Sequence, residues 1–134
     1  MALETPRLTV KLNDSKLKVV PVKAGAMIFQ GALVAADGGL AVPAAARAGL
    51  VVLGMARAGA DNRSGAAGAV SVEVERGVFA WGNDAAAPVT QALLGKPVYA
   101  VDDQTVAATD GGGTRPVAGT LYQLDDAGVF VETV

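Results

Sequence analysis

The chain has 134 residues, the length of one domain, and a formal net charge of -2 with neither cysteine nor histidine. The absence of cysteine excludes disulfides and thiolate metal sites, and the absence of histidine removes the commonest general base and metal ligand. The small negative charge argues against broad binding to nucleic acid, so we expect no nucleic-acid partner.

Hydrophobic residues make up 51% of the chain, but only 4% of residues are aromatic. Alanine, valine and glycine dominate, and such small or β-branched side chains suit closely spaced sheets. No run approaches the roughly 18 apolar residues of a membrane helix. The segment Met1–Arg7 also lacks the apolar core of a signal peptide. We therefore expect neither a membrane partner nor secretion.

The first predicted strand is an alternation of Leu8, Val10 and Leu12 with polar residues. Further strands are predicted from apolar runs bounded by Gly, Pro or Asp. They are Leu17–Val22, Ala26–Phe29, Leu33–Ala36, Leu50–Ala58, Val70–Val74 and Val78–Trp81. A short helical turn is predicted at Gln91–Leu94, with Thr90 as N-cap and Gly95 as the stop, and a second turn at Ala44–Ala48.

Three segments repeat one pattern, in which an apolar run meets an acidic turn and a second apolar run follows. They are Leu33–Val42, Val98–Ala107 and Leu121–Val131. Asp at the tip can hydrogen-bond its own backbone, and Gly there permits a positive φ. The pattern predicts three β-hairpins.

Glycine-rich loops are predicted at Gly59–Gly68 and Asp110–Arg115, and another loop at Asn83–Pro88. The turn spacing is typical of an all-β fold, which we predict to be a compact β-barrel or jelly-roll-like sandwich of short antiparallel strands with one short helical turn. We assign residues 1–22 to an N-terminal arm and first strand, and residues 23–134 to a single β domain.

Catalytic and metal-binding motifs are weak in this sequence. The pairs Asp102-Asp103 and Asp125-Asp126 lie at predicted hairpin tips, where Asp serves turn geometry, and they lack the spacing of a calcium loop. Gly95-Lys96 is followed by Pro97, which rules out a phosphate-binding loop of the Walker type. We expect no catalytic residues, no metal, no cofactor and no enzymatic activity.

The aromatic residues mostly fall inside apolar strand runs, so core packing is expected for them. They are Phe29, Phe79, Trp81, Tyr99, Tyr122 and Phe130. Trp81, next to Gly82 and Asn83 at a predicted strand end, is the one expected to be partly exposed and to anchor a partner.

Charge is unevenly distributed along the chain. Residues 1–23 carry five basic and two acidic side chains, whereas residues 99–134 carry one basic and six acidic side chains. A basic start and an acidic end suit head-to-tail contacts between copies or docking on a charged surface. Two solvated faces of one small domain explain the same pattern.

Several turn motifs resemble those of the capsid decoration, or cement, proteins of tailed bacteriophages, especially the versions in Mu-like and related phages. The similarity extends over about residues 23–132. It rests on Phe29–Val34, Gly54 through Asp61-Asn62, Gly65–Gly68, Arg76–Phe79, Gly95–Tyr99, Val101–Val106 and Thr109–Gly111.

The resemblance implies a structural virion protein, made in the host cytoplasm, that binds the outer surface of the expanded capsid. Such a protein would bridge major capsid protein subunits and stabilise the DNA-filled head. Its expected partners are the major capsid protein and further copies of itself, with a homodimer placed ahead of a homotrimer.

Two sets of residues are candidate contacts with the capsid or with another copy. The strand with Leu8, Val10 and Leu12 could pair with a strand edge of a partner, or equally be an edge strand of its own sheet. The second set comes from the Arg57–Arg63 loop and the Trp81–Asn83 corner. It consists of Arg57, Arg63, Trp81 and Asn83.

A different class of function stays open, namely a small β-barrel of a phage tail or baseplate that recognises a glycan or a host receptor. Glycan sites present exposed aromatic side chains with polar neighbours, of which this sequence offers few. A carboxylate-only enzyme ranks third, and two convergent carboxylates with raised pKa values would support it.

Overall fold

A computed structural model describes residues 1–2, 4–7 and 16–133. The predicted strand with Leu8, Val10 and Leu12 lies outside these described residues. The regular structure within them consists of twelve strands and one short 3₁₀ helix, Gln91–Leu93. The strands are β1 (Leu17–Pro21), β2 (Met27–Ile28), β3 (Leu33–Asp37), β4 (Leu40–Pro43), β5 (Val51–Ala56), β6 (Ala60–Asp61), β7 (Ser71–Glu75), β8 (Val78–Asn83), β9 (Pro97–Ala100), β10 (Thr105–Ala107), β11 (Val117–Asp125) and β12 (Gly128–Glu132).

The strands form two five-stranded units. In the N-terminal unit, residues 16–76, an antiparallel sheet has the order β1-β7-β5-β3-β4, and β2 pairs with β6 beside it. In the C-terminal unit, residues 77–133, the strands follow the order β8-β12-β11-β9-β10, and the parallel pair β8 and β10 closes them into a barrel. The predicted all-β class and a barrel of short strands are confirmed.

The two units have the same topology. Strands β1, β3, β4, β5 and β7 correspond in order to β8, β9, β10, β11 and β12, and each has equivalent neighbours in the same direction. The contact between the first and the last strand of each order is equivalent as well. Val22, directly after β1, bridges Ala41 of β4 in parallel, and Asn83 at the end of β8 pairs in parallel with Val106 of β10.

The register of the equivalent strands also agrees at a shared irregularity. The pairing of β5 with β3 shifts beside Gly54, and the pairing of β11 with β9 shifts beside Gly119. Both glycines have a φ of +154°, and a Cβ on either would lie 2.2 Å from the backbone oxygen of Glu75 or Glu132. Only glycine fits such a close approach of two strands, so the bulge is specified by the same residue in both units.

The turn that precedes β3 in one unit and β9 in the other is equivalent as well. The N–H of Gly31 donates to the carbonyl of Ala56 at 2.9 Å, and that of Gly95 donates to Leu121 at 3.0 Å. The described chain is therefore built from two copies of one structural unit of about sixty residues.

Strand β3 separates two hydrophobic cores, because side chains alternate across a strand. Val34 points into the N-terminal core, whereas Leu33 and Ala35 point the other way, and all three are fully buried. The N-terminal core consists of Val20, Val22, Ile28, Ala32, Val34, Ala41, Ala56, Ala60, Val72 and Val74. The other cluster, called here the shared core, consists of Leu33, Ala35, Val42, Ala44, Leu50, Trp81, Val89, Val98, Ala100, Val106, Ala118, Leu121, Val129 and Val131. Because it joins residues of both units, it holds them together.

All three predicted hairpins are present, as β3–β4, β9–β10 and β11–β12. Asp102 accepts from the N–H of Gln104 at 2.9 Å, and Asp125 accepts from Ala127 at 2.8 Å, as expected for tip residues. Asp37 differs, because the positive φ angles of Gly38 and Gly39 make the turn. Its carboxylate instead accepts from the side chains of Lys23 and Arg47.

Three smaller predictions need comment. The helical turn is a 3₁₀ helix after Thr90, whose side chain makes no capping hydrogen bond. Ala44–Ala48 contains no helical residue. Within the predicted loop Gly59–Gly68, Ala60 and Asp61 form β6 because they pair with β2.

Candidate interaction surface

The loop that holds Arg57 and Arg63 lies on the surface of the N-terminal unit. Arg57 follows β5, and its guanidinium lies 3.2 Å from Glu73 and 3.7 Å from Glu75, both on β7. The side chain is 46% exposed, so these ion pairs are solvent-accessible and weakly stabilising. Arg57 therefore presents a charged but already paired group to any partner.

Arg63 forms an ion pair within its own loop. Its Nε and Nη2 donate to the two carboxylate oxygens of Asp61 at 2.9 and 2.8 Å. The side-chain hydrogen bond from Arg63, followed by that from its backbone N–H, lowers the pKa of Asp61 to about 2. The same contact raises the pKa of the Arg63 guanidinium. This fork-to-fork geometry fixes the orientation of the exposed arginine.

Asn62, between these two charged residues, is the buried anchor of the loop. It is only 2% exposed, and its Nδ2 donates to the carbonyls of Val22, Lys23 and Ala66 at 3.1, 3.2 and 2.9 Å. The amide thereby ties the loop to the chain that follows β1. Sequence reasoning missed Asn62, because an Asn in a glycine-rich stretch resembles an ordinary turn residue.

Trp81 is not the exposed anchor that the sequence suggested. Strand β8 continues to Asn83, so Trp81 lies inside the strand and its alternation directs the indole inward. It is 7% exposed, belongs to the shared core and packs edge-on against Phe79, with ring centroids 6.4 Å apart. Its Nε1 is buried and has no hydrogen-bond partner among the residues that the structure describes. Trp81 is therefore a core residue.

Asn83 has a structural role in the C-terminal unit. Its side-chain oxygen accepts from the N–H of Val89 at 2.7 Å, and its Nδ2 donates to the carbonyl of Val89 at 3.0 Å. The amide pins the loop of residues 84–90 against the barrel. The structure thus places Arg57 and Arg63 in one unit, and Trp81 and Asn83 in the other.

Two aromatic residues expected in the core are exposed instead. Phe29 is 64% exposed and Tyr122 is 59% exposed. Phe29 directly follows β2, in the turn before β3, and Tyr122 lies at the register shift of β11, so neither side chain faces inward. The runs of apolar residues in the sequence do not predict that these two side chains are exposed, because the turn and the bulge interrupt the alternation of inward and outward side chains.

Phe29 lies in a shallow pocket between the two units. The pocket is lined by Phe29, Gln30, Gly31, Ala32, Asp103 and Gln104. Its two sides are fixed to each other, because the N–H of Leu33 donates to the carbonyl of Asp103 at 2.8 Å. An aromatic face beside amide and carboxylate groups can receive a ligand with both apolar and hydroxyl surfaces.

A second depression, called here the seam groove, lies where β5 meets β11. It is lined by Leu50, Val51, Val52, Val117, Ala118 and Gly119. Val51 is 62% exposed and Val117 is 50% exposed, so two large apolar side chains meet solvent side by side. Exposed apolar side chains in a depression can contact a partner.

Among the described residues, no group of three or more acidic side chains is placed to hold a metal ion. No helix in this part of the chain is long and apolar enough to cross a membrane. Comparisons with protein-family models, with curated proteins and with solved structures found no match. The function is therefore inferred from the sequence motifs and from the surfaces described above.

Proposed function

We propose that this protein is a capsid decoration protein of a tailed bacteriophage. In this role it binds the outer surface of the expanded shell and bridges major capsid protein subunits. The proposal begins from the resemblance of the turn motifs over about residues 23–132, which covers both structural units.

The observation that carries the proposal is the doubled, tightly joined all-β body with apolar side chains exposed on each unit. Val51 and Phe29 are exposed on the N-terminal unit, and Val117 and Tyr122 on the C-terminal unit. A body whose two units share one core can contact two neighbouring subunits at a fixed spacing. That geometry suits a bridging role better than a pocket-centred one.

Modest contacts suffice for this role. A patch of about 800 Å² per partner gives a specific interface. On a repeating lattice, contact at two linked points raises the apparent affinity by a factor of roughly 100 or more without new chemistry. Exposed valines and aromatics on a rigid scaffold supply such patches with little ordering cost.

The test is co-sedimentation of the purified, full-length chain with expanded, decoration-free capsids of the parent phage. We expect saturable binding near one copy per major capsid subunit. Unexpanded shells of the same phage are the matched control and should bind less. Absence of binding by folded protein to the expanded shells would contradict the proposal.

The contact assigned to the Arg57–Arg63 loop has its own control. Arg63→Ala removes an exposed guanidinium at this loop, and Arg47→Ala removes a similarly exposed, ion-paired guanidinium elsewhere on the same unit. We expect Arg63→Ala to weaken capsid binding and Arg47→Ala to leave it unchanged. Equal binding by both variants would remove the loop from the interface.

The pocket around Phe29 favours a second function, that of a glycan-binding module on a tail or baseplate. An exposed phenyl ring with Gln30, Asp103 and Gln104 around it offers stacking and hydrogen bonds to a sugar. A glycan array with wild type, Phe29→Ala and the control Tyr122→Ala tests it. Loss of a glycan signal only in Phe29→Ala, together with no capsid binding, would favour this second function.

A further inference from the structure

We propose that the linkage between Asp110 and Gly111 is a site of spontaneous modification, at which the folded chain converts aspartate to isoaspartate through a cyclic imide. The site lies in the exposed glycine-rich loop Asp110–Arg115, between β10 and β11 of the C-terminal unit. The reaction needs no partner, so it is independent of the proposed function.

The reaction is a rearrangement of one peptide linkage. The backbone nitrogen of Gly111 attacks the side-chain carboxyl carbon of neutral Asp110, a C–N bond forms, and the carboxyl hydroxyl leaves as water with the amide proton. Water then opens the imide. Cleavage between the nitrogen and the main-chain carbonyl carbon gives isoaspartate, whereas cleavage of the new bond restores aspartate. One water is lost and one is gained, so no other reactant is required.

The Asp110 side chain is held next to the nitrogen that attacks it. Its Oδ1 accepts from the N–H of Gly112 at 3.1 Å, so the side chain folds forward across the intervening peptide group of Gly111. The N–H of Gly111 donates to no acceptor within the part of the chain that the structure describes. Attack therefore costs no hydrogen bond at this nitrogen, and the reacting groups are already close together.

Three other aspartates make the same turn but are not followed by glycine. Asp61, Asp102 and Asp125 each accept from the N–H two residues later, at 3.1, 2.9 and 2.8 Å. The next residue is Asn or Asp in each case, and its Cβ crowds the nitrogen that would attack. Glycine has no Cβ. Among the described aspartates, Asp110 is the one that combines this turn with a following glycine.

Asp37 is followed by two glycines, as Asp110 is, but its side chain is held differently. Gly38 has a φ of +58°, close to the +62° of Gly111. The Asp37 carboxylate, however, accepts from the side chains of Lys23 and Arg47. These hydrogen bonds, first that of Lys23 and then that of Arg47, lower the pKa of Asp37 and favour the ionised form, which has no hydroxyl to lose. The fold therefore protects one Asp-Gly sequence and leaves the other reactive.

Conversion would change the loop itself. In isoaspartate the main chain runs through the former side chain and is longer by one carbon, and the former main-chain carbonyl becomes a free carboxylate. In the unmodified loop, the carbonyl of Asp110 accepts from the N–H groups of Gly113 and Arg115 at 3.2 and 2.9 Å. Modification displaces the acceptor of both groups, so we expect the loop to loosen while β10 and β11 keep their strand partners.

The test is peptide mapping of the full-length chain after incubation at mildly acidic pH, with electron-transfer fragmentation to distinguish isoaspartate from aspartate. Asp37 is the internal control, because the same Asp-Gly-Gly sequence occurs there in the same molecule. We expect isoaspartate to accumulate roughly tenfold faster or more at residue 110 than at residue 37. In urea, where the fold is lost, the two rates should become similar. Similar rates in the folded chain, or a difference that persists in urea, would overturn the inference.

Two alanine variants test the role of the glycine that attacks. Gly111→Ala adds a Cβ beside the attacking nitrogen, 3.0 Å from Nε of Arg115 and 3.1 Å from Oγ1 of Thr114, which are side-chain atoms that can move. Gly112→Ala is the matched control, because it also has a positive φ, of +76°, and open space. We expect Gly111→Ala to slow the reaction roughly tenfold or more and Gly112→Ala to change it little. Equal rates in the two variants would contradict attack by the Gly111 nitrogen.

Discussion

The two structural units share their topology but secure its closing contact in different ways. In the N-terminal unit, Val22 bridges Ala41 through the backbone, and the side chain of Asn62 donates to the carbonyl of Val22 from a distant loop. In the C-terminal unit, Asn83 occupies the position equivalent to Val22 and binds Val89 with its own amide. Each closure uses an Asn side chain, but from a different place in the unit.

The connection before the last strand differs as well. The N-terminal unit uses residues 57–70, which include β6 and the loop pinned by Asn62, whereas the C-terminal unit turns directly from β11 into β12 at Asp125–Ala127. The glycine bulge and the side-chain alternation persist in both. The comparison indicates that these two features specify the unit, and that connections vary around them.

The largest expected effect is at the equivalent glycines. Gly54→Ala and Gly119→Ala each force a Cβ to 2.2 Å from a backbone oxygen, at a φ of +154°. We expect each to lower the free energy of unfolding by about 4 kcal/mol or more, measured by urea denaturation. Gly112→Ala, which also has a positive φ but open space, should cost about 1 kcal/mol. If one of the two substitutions is mild and the other severe, the glycine bulges of the two units are not equivalent in their contribution to stability.

The next effect compares the two cores at an equivalent position. Trp81 and Val20 both lie four positions into their units and are both 7% exposed. Trp81→Ala should lower the free energy of unfolding by about 3–5 kcal/mol because it leaves a large cavity, and Val20→Ala by about 2 kcal/mol. Circular dichroism in urea measures both values. A Trp81→Ala protein as stable as the wild type would contradict the assignment of Trp81 to the shared core.

The two asparagines sharpen the comparison of the closures. Asn62→Ala leaves the carbonyls of Val22, Lys23 and Ala66 without their donor in a buried place, so a loss of about 2–3 kcal/mol is expected. Asn83→Ala removes two bonds at a more exposed site and should cost about 1 kcal/mol. Thermal unfolding of both variants measures the difference, and the reverse order would refute our ranking of the two closures.

The smallest effect is the pH dependence of the Asp61–Arg63 pair, which only the longer connection has. The pKa of Asp61 in the folded protein, about 2, lies below its ordinary value of 3.8. Its contribution is therefore present above pH 4 and is lost as the pH falls from about 4 towards 2. The difference in melting temperature between wild type and Asp61→Asn should shrink over that range. It should also be smaller in about 1 M salt, where exposed charges are screened.

Much of the fold could be predicted from period-two patterns and turn residues. The repeated pattern predicts similar hairpins at Leu33–Val42 and Val98–Ala107, and these hairpins are equivalent parts of the two units. The full repeat remained hidden because Val20 corresponds to Trp81 and Val22 to Asn83. Equivalent positions in a strand need only fit their neighbours, so their residue types can diverge while the register stays fixed.

The surface was harder to predict than the fold. Gly82 and Asn83 after Trp81 predict the end of a strand there, but both residues belong to β8. The seam groove joins residues 50–52 to 117–119, and such a long-range contact leaves no mark in a local pattern. The exposure of side chains at turns and bulges, such as Phe29, is not predicted either, because a turn or a bulge interrupts the alternation of inward and outward side chains.

The junction between the units has a mechanical consequence. Only Arg76 and Gly77 separate β7 from β8, and Thr133 clamps Gly77 by accepting from its N–H at 2.9 Å and donating to its carbonyl. A linker so short and so restrained does not allow the two units to rotate or move apart. Tension applied to one unit is therefore transmitted to the other through the hydrogen bonds of Thr133 and the packed valines of the shared core. Under load we expect strand pairing to break before the units separate at the linker.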